Sequence, residues 1–179
     1  MEKLTALYIQ YKGEEPAEIE KIPGAGSNRQ YYRFIGKDGE SVVGVIGTSR
    51  DENHAFIYLD HHFQLRQLPV PHILAVSEDE LCYLQTDLGH TSLFDAIRGG
   101  REAGGRYNQN EQQLLIKTIR ALPNFQIRGA RGLDWKNCYP QPEFDEESVL
   151  FDLNYFKYCF LKATGLDFHE LKLEAKFHM

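Results

Sequence analysis

The sequence predicts an α+β fold: a five-stranded antiparallel sheet with one helix inserted after the third strand, followed by a run of helices. Three observations carry that expectation. Short apolar runs in the first half are separated by turn-forming residues, as strands joined by tight turns require. Ser49 and Glu52 form an S-x-x-E capping signature between the third and fourth runs. After Gly89 the apolar spacing lengthens to that of helices.

Taken in order, Leu4, Leu7, Tyr8 and Tyr11 share a helical stripe that Lys12-Gly13 closes. Residues Glu18 to Ile22 alternate imperfectly and enter the turn Pro23-Gly24-Ala25-Gly26-Ser27-Asn28, which Tyr31 to Ile35 leave as a second strand. Asp38-Gly39 supplies the positive φ of a hairpin turn, and Ser41 to Ile46 follow as a largely buried third strand. The helix begun at Ser49 carries Phe56, Leu59 and Phe63 on one stripe until Pro69 and Pro71 end it. Ile73 to Val76 and Leu81 to Leu84 read as two further strands joined by an acidic turn. Helices are expected over Ser92 to Arg98, Glu111 to Leu122 and Glu147 to Thr164, the last stopped by Gly165. The polar, glycine-rich stretch Gly99 to Asn110 reads as a mobile loop.

Composition narrows the function. With 42% hydrophobic and 26% charged residues, the 179-residue chain has the balance of a water-soluble globular protein. A net charge of −6 argues against a nucleic-acid partner, since phosphate-backbone binders present a basic face. No apolar stretch reaches membrane-spanning length, so no membrane partner is expected. Cys82, Cys138 and Cys159 are an odd, widely spaced set, which suggests a reducing, cytoplasmic setting. His54, His61 and His62 lie on one predicted helix, but adjacent histidines diverge, and a half-buried polar stripe fits them better than a metal site. Trp135, Tyr139, Phe144 and Phe151 suit either core packing or a sugar-binding wall.

The turn from Pro23 to Arg29 reads either as a plain hairpin or as a cover for phosphates. Glycines let a backbone approach an anion and aim its N–H groups at it. Gly24 and Gly26 open a G-x-G-x-x-G pattern whose last place is Arg29, and no G-x-x-x-x-G-K-[ST] occurs in the chain. Arg29 and Arg33 are candidate phosphate cations, with ordinary surface ion pairing as the alternative for each.

The residues Gly24-Ala25-Gly26-Ser27-Asn28-Arg29-Gln30-Tyr31-Tyr32-Arg33, Pro69-Val70-Pro71 and Leu84-Gln85-Thr86-Asp87-Leu88-Gly89, in this order of elements, resemble the bacterial aminoglycoside phosphotransferase family, in its branch of sugar and small-molecule kinases. The resemblance covers the N-terminal half of such an enzyme. It implies a protein-kinase-like nucleotide-binding lobe over residues 1–88, and a partial helical lobe over 89–179. It further implies ATP or GTP with magnesium as cofactor, and a small hydroxylated, sugar-like acceptor. By that likeness Gly24, Ala25, Gly26, Ser27, Asn28 and Arg29 cover phosphates. Val43 and Leu84 sandwich the base, and Gln85, Thr86, Asp87 and Leu88 form the hinge between lobes. Asp87-Leu88-Gly89 looks like a metal-binding Asp-Phe-Gly, but it directly follows a sheet and precedes every large helix. That place belongs to a hinge exit and not to a magnesium ligand. The Asp87 side chain serves either the hinge or, as a simple cap, the helix starting near Ser92.

Two departures from the kinase pattern stand out. The third strand, Val42-Val43-Gly44-Val45-Ile46, lacks the lysine that holds phosphates; Gly44 aligns with its place, which leaves Glu52 without the expected partner. The catalytic H-x-D-x-x-x-x-N is also missing, because the residues five places before Asn108, Asn110, Asn124, Asn137 and Asn154 are Ala103, Gly105, Ile119, Gly132 and Val149. Neither a catalytic base nor a metal ligand is therefore assigned. The expectation is a chain that ends short of the catalytic loop, as a truncated gene product would, with self-association through uncovered helix faces. The alternative is a noncatalytic kinase-like binding or regulatory module.

Overall fold

A computed structural model describes residues 1–24, 26 and 28–177. Among the described residues it is an α+β structure with five strands in one antiparallel sheet and seven α-helices. The chain divides into two compact units, Met1–Tyr139 and Pro140–Met179. This division falls later than the boundary drawn after residue 88, because the segment after the sheet is tied to the inserted helix. His62 Nε2 donates to the Gly129 carbonyl at 2.7 Å, Arg66 Nε to the Arg131 carbonyl at 2.7 Å, and the Asp134 N–H to the Tyr58 hydroxyl at 2.9 Å.

In the first unit, α1 (Glu2–Lys12) precedes β1 (Glu18–Ile22), β2 (Gln30–Ile35) and β3 (Ser41–Ile46). Then come α2 (Arg50–Leu65), β4 (Ile73–Val76) and β5 (Cys82–Thr86), and the sheet order is β1-β2-β3-β5-β4. Gly13 ends α1 in the left-handed conformation at φ 80°, which a residue without Cβ adopts without strain. Strand alternation splits the sheet into two faces. On one, Leu4, Leu7 and Tyr8 of α1 pack against Phe34, Val42, Cys82 and Leu84, with Tyr8 stacked on Phe34 at 5.0 Å. On the other, Val43, Val45 and Tyr83 pack with Ile22, Tyr31 and Phe56 of α2.

The register corrects the reading of β3. Gly44 pairs with Tyr32 and Leu84 and faces α1, so it does not stand where a phosphate-holding lysine would. Val45, on the α2 side, occupies that face. Glycine is required at 44 by crowding: a Cβ there would lie 2.7 Å from Phe34 Cε2 and 2.9 Å from Leu4 Cδ2. Gly44→Ala is accordingly expected to lower unfolding stability by about 1–3 kcal/mol, the usual cost of overpacking. A denaturation midpoint equal to wild type would contradict the assigned face.

The α2 cap forms as half a capping box. Ser49 Oγ accepts from the Glu52 N–H at 3.3 Å, while the Glu52 carboxylate turns to Arg29, 3.2 Å away. Asn53, fully buried, ties α2 to the β4–β5 turn by donating to the Glu80 carbonyl at 2.7 Å. Gly47 makes room for it, since a Cβ there would sit 2.3 Å from the Asn53 amide. Asp60, also buried, accepts from the Ile73 N–H at 3.1 Å and so satisfies the first donor of β4.

Beyond the sheet come α3 (Leu93–Ala96), α4 (Arg98–Glu102) and α5 (Gln109–Pro123). The stretch expected to be a mobile loop, Gly99 to Asn110, is corrected. Its first part is α4, and the buried Glu111 carboxylate accepts from Gly100 N–H (2.9 Å) and Asn108 N–H (2.8 Å). Asn108 returns the bond to Glu111 N–H, completing a capping box. Leu114, Ile116, Ile119 and Leu122 of α5 are exposed.

The second unit holds α6 (Glu146–Tyr155), which runs on through a π-helical turn over 156–161 and a 3-10 turn to Gly165, left-handed at φ 69°. The helix α7 (Glu170–Phe177) is bound to this rod by Lys157, whose buried ammonium pairs with Glu174 and with Glu170 at 3.6 Å. Among the described residues no helix is long and apolar enough to cross a membrane.

Candidate functional site

The sheet face turned away from α1 carries a cavity of about 420 Å³. Its position follows from strand register. Glu20 and Ile22 on β1, Tyr31 and Arg33 on β2, and Val43 on β3 alternate onto this face, and Gln85 of β5 sits directly across from Val43. Residues 85–90 form the adjoining wall. Ile22 and Val43 give the cavity branched apolar surface and Tyr31 an aromatic ring, which suits a flat heterocycle.

At one end Arg33 and Asp87 form a nearly buried pair, with side chains 8% and 6% exposed. Arg33 Nε donates to Asp87 Oδ2 at 2.5 Å and Nη2 to Oδ1 at 3.1 Å, a two-pronged geometry that arginine alone provides. Ser41 Oγ donates to the same carboxylate at 2.8 Å, and Gly89 N–H at 2.9 Å. The Arg33 hydrogen bonds, with help from Ser41 and Gly89, hold the Asp87 carboxyl far below the usual carboxylate range against the opposing effect of burial. Arg33 also donates to the Gly89 carbonyl at 3.0 Å, and His90 Nδ1, 3.0 Å from Nη1, accepts because a guanidinium only donates.

Asp87 is therefore neither a cap nor a metal ligand: both of its oxygens are occupied, and Ser92 Oγ caps α3 by accepting from Asp95 N–H at 3.1 Å. Its work is to pin the chain leaving β5 to β2 and β3. Outside the strand ladders Asp87 and Leu88 make no backbone–backbone hydrogen bond among the described residues. Their N–H and C=O groups are thus the ones left to meet a ligand edge. The Thr86 N–H instead donates to the His72 carbonyl at 2.9 Å, within the pairing of β5 with the approach to β4.

Pro23 lines the other end, while Arg29, which directly precedes β2, is not among the lining residues. Arg29, with 10% of its side chain exposed, pairs with Glu52 of α2 and lies 5.2 Å above the Phe56 ring. Glu52 does have a cationic partner, but it arrives from the start of β2 and not from β3. Gly24, Gly26 and Asn28 are exposed, with open space where a Cβ at either glycine would stand, and Gly26 is left-handed at φ 86°. Ala25 and Ser27 lie outside the described residues.

The assignment of Leu84 to a base sandwich is corrected. It is fully buried on the α1 face, one residue out of phase with the cavity, while Gln85 and Tyr83 face the α2 side. Val43, Gln85, Thr86, Asp87 and Leu88 do line the cavity, together with Ile22, Tyr31, Glu20, Arg33 and His90, which sequence reasoning missed as wall residues. The signal for them was the two-residue period of β1 and β2. Arg33 is not a phosphate cation, because its donors are already taken by Asp87, Gly89 and His90.

Among the described residues no three His, Cys, Asp or Glu side chains gather as a metal site. Of the three α2 histidines, His62 is spent on Gly129 and His54 on Glu80 at 3.3 Å, while His61 is exposed. The side chains present do not fit a magnesium ion, since the one carboxylate buried at the cavity is neutralised by Arg33. In comparison with known proteins, the chain matches no family model, and no curated protein matches it.

Proposed function

We propose that this chain is the nucleotide-holding part of a protein-kinase-like phosphotransferase. It would take ATP or GTP and serve a small hydroxylated, sugar-like acceptor, with catalytic residues absent from these 179 residues. The observation that carries this reading is the Arg29–Glu52 pair. A cation at the end of a glycine-bearing turn, held by an acid on the helix inserted after the third strand, supplies what a third-strand lysine supplies in kinases. The same sheet carries a cavity with apolar walls and with unused backbone groups at 87 and 88. Arg29 would meet phosphates, Ile22 and Val43 would cover the base, and Asp87 and Leu88 would bond its edge.

Thermal denaturation with nucleotide tests the reading. A ligand that binds only the native form raises stability by about 2.7 kcal/mol at a hundredfold excess over its dissociation constant. Millimolar ATP or GTP is expected to raise the melting temperature, and an unchanged one would refute the site.

A second reading, a noncatalytic kinase-like binding or regulatory module, is favoured by the absence of H-x-D-x-x-x-x-N from these 179 residues. The two readings part on whether the coding sequence beyond Met179 supplies that loop. The expected self-association rests on the exposed α5 side chains described above.

A further inference from the structure

We propose that Gln85 reads the six-position of a purine base, and that the site accepts adenine and guanine alike. The inference rests on the nucleotide reading and adds the ligand class to it. Most polar side chains around the cavity are committed to the protein: Glu20 and His90 to Arg33, Arg33 to Asp87, and Thr86 Oγ1 to the His72 N–H at 2.9 Å. Gln85 differs. Its Oε1 is buried without a hydrogen-bond partner, and among the described residues its Nε2 has none either. An unmet buried amide is costly, so a group kept there in a half-buried wall position points to a partner that arrives with the ligand.

Register fixes where that partner lies. Gln85 faces Val43 across β3 and β5, beside the apolar surface that would cover the ring and two residues before the free backbone groups of Asp87. A purine whose edge reaches those groups turns its exocyclic six-substituent toward the amide. Adenine offers an amino donor there and guanine a carbonyl acceptor. The terminal amide torsion is soft and close to two-fold, so a half-turn exchanges Oε1 for Nε2 and answers either base. An ionised carboxylate at this place only accepts and would answer the adenine amino group alone.

The test is a set of dissociation constants for ATP, GTP and purine riboside triphosphate, which lacks the six-substituent, with wild type and Gln85→Met. Methionine keeps the length and apolar bulk while removing both polar atoms. In wild type, ATP and GTP are expected within about tenfold of each other, and each about tenfold tighter than the unsubstituted purine, the size of one buried hydrogen bond. In Q85M that advantage should vanish while purine riboside triphosphate binds as before. Equal discrimination in wild type and Q85M would overturn the role of Gln85, as would a wild type that binds only one of the two natural nucleotides. Wild type that binds none of the three would instead remove the nucleotide reading itself, and this inference with it.

Discussion

Replacing Arg33 by leucine is expected to remove about 3–5 kcal/mol of unfolding free energy, because it strands the Asp87 carboxylate in a nearly buried place. Only Ser41 and the Gly89 N–H would remain to solvate it. For a chain of this size the melting temperature should fall by roughly 10 °C, read by calorimetry near neutral pH. Arg33→Leu combined with Asp87→Leu is expected to recover much of the loss, since an apolar pair carries no desolvation penalty. The acid dependence has a definite sign. Asp87 titrates below its ordinary value of 3.8, so its pairing contributes fully above about pH 4 and fades as the pH falls below that value toward the depressed folded-state value. The gap between wild type and Arg33→Leu should therefore narrow in acid. A gap constant from pH 7 to pH 3 would mean that the pair does not carry the stability assigned to it.

Val43→Trp is expected to weaken nucleotide binding at least about a hundredfold, near 2.8 kcal/mol, by filling the cavity where a base would lie. Val43 is 6% exposed and borders the cavity, so the indole would extend into that space and not into the α1 core. Because Val43 also packs in the α2-face core, the larger ring is expected to cost about 1–3 kcal/mol of unfolding stability, so affinity is compared at a temperature where both proteins are folded. Leu84→Met is the matched control on the opposite face, and it should leave binding unchanged. Isothermal titration with ATP separates the two. Equal affinity for Val43→Trp and wild type, or a loss with Leu84→Met, would place the base elsewhere.

The strands and the two principal helices of the first unit were legible because local signals and tertiary needs agree there. Ser49-x-x-Glu52, Asp38-Gly39 and Lys12-Gly13 each fix an element end by chemistry confined to a few residues. The face of each strand was less legible. An unbroken run such as Val42 to Ile46 is buried on both sides, so periodicity does not say which residue meets α1 and which the cavity. Gly44 and Leu84 were misplaced for that reason, each by one residue. The α4 segment was hidden by its glycines, although Asn108-x-x-Glu111 carries the same capping signature as Ser49-x-x-Glu52. Long-range pairs were invisible. Nothing in the local sequence says that Arg33 reaches Asp87 or Arg29 reaches Glu52, because each depends on the order in which strands pair.

Photolabelling with 8-azidoadenosine triphosphate, followed by peptide mapping, tests most directly whether the sheet face opposite α1 holds a nucleotide. Label is expected on peptides containing residues 20–23, 43 or 85–90, and should be competed away by both ATP and GTP. Label confined to residues 140–179, or label that excess nucleotide does not displace, would contradict it.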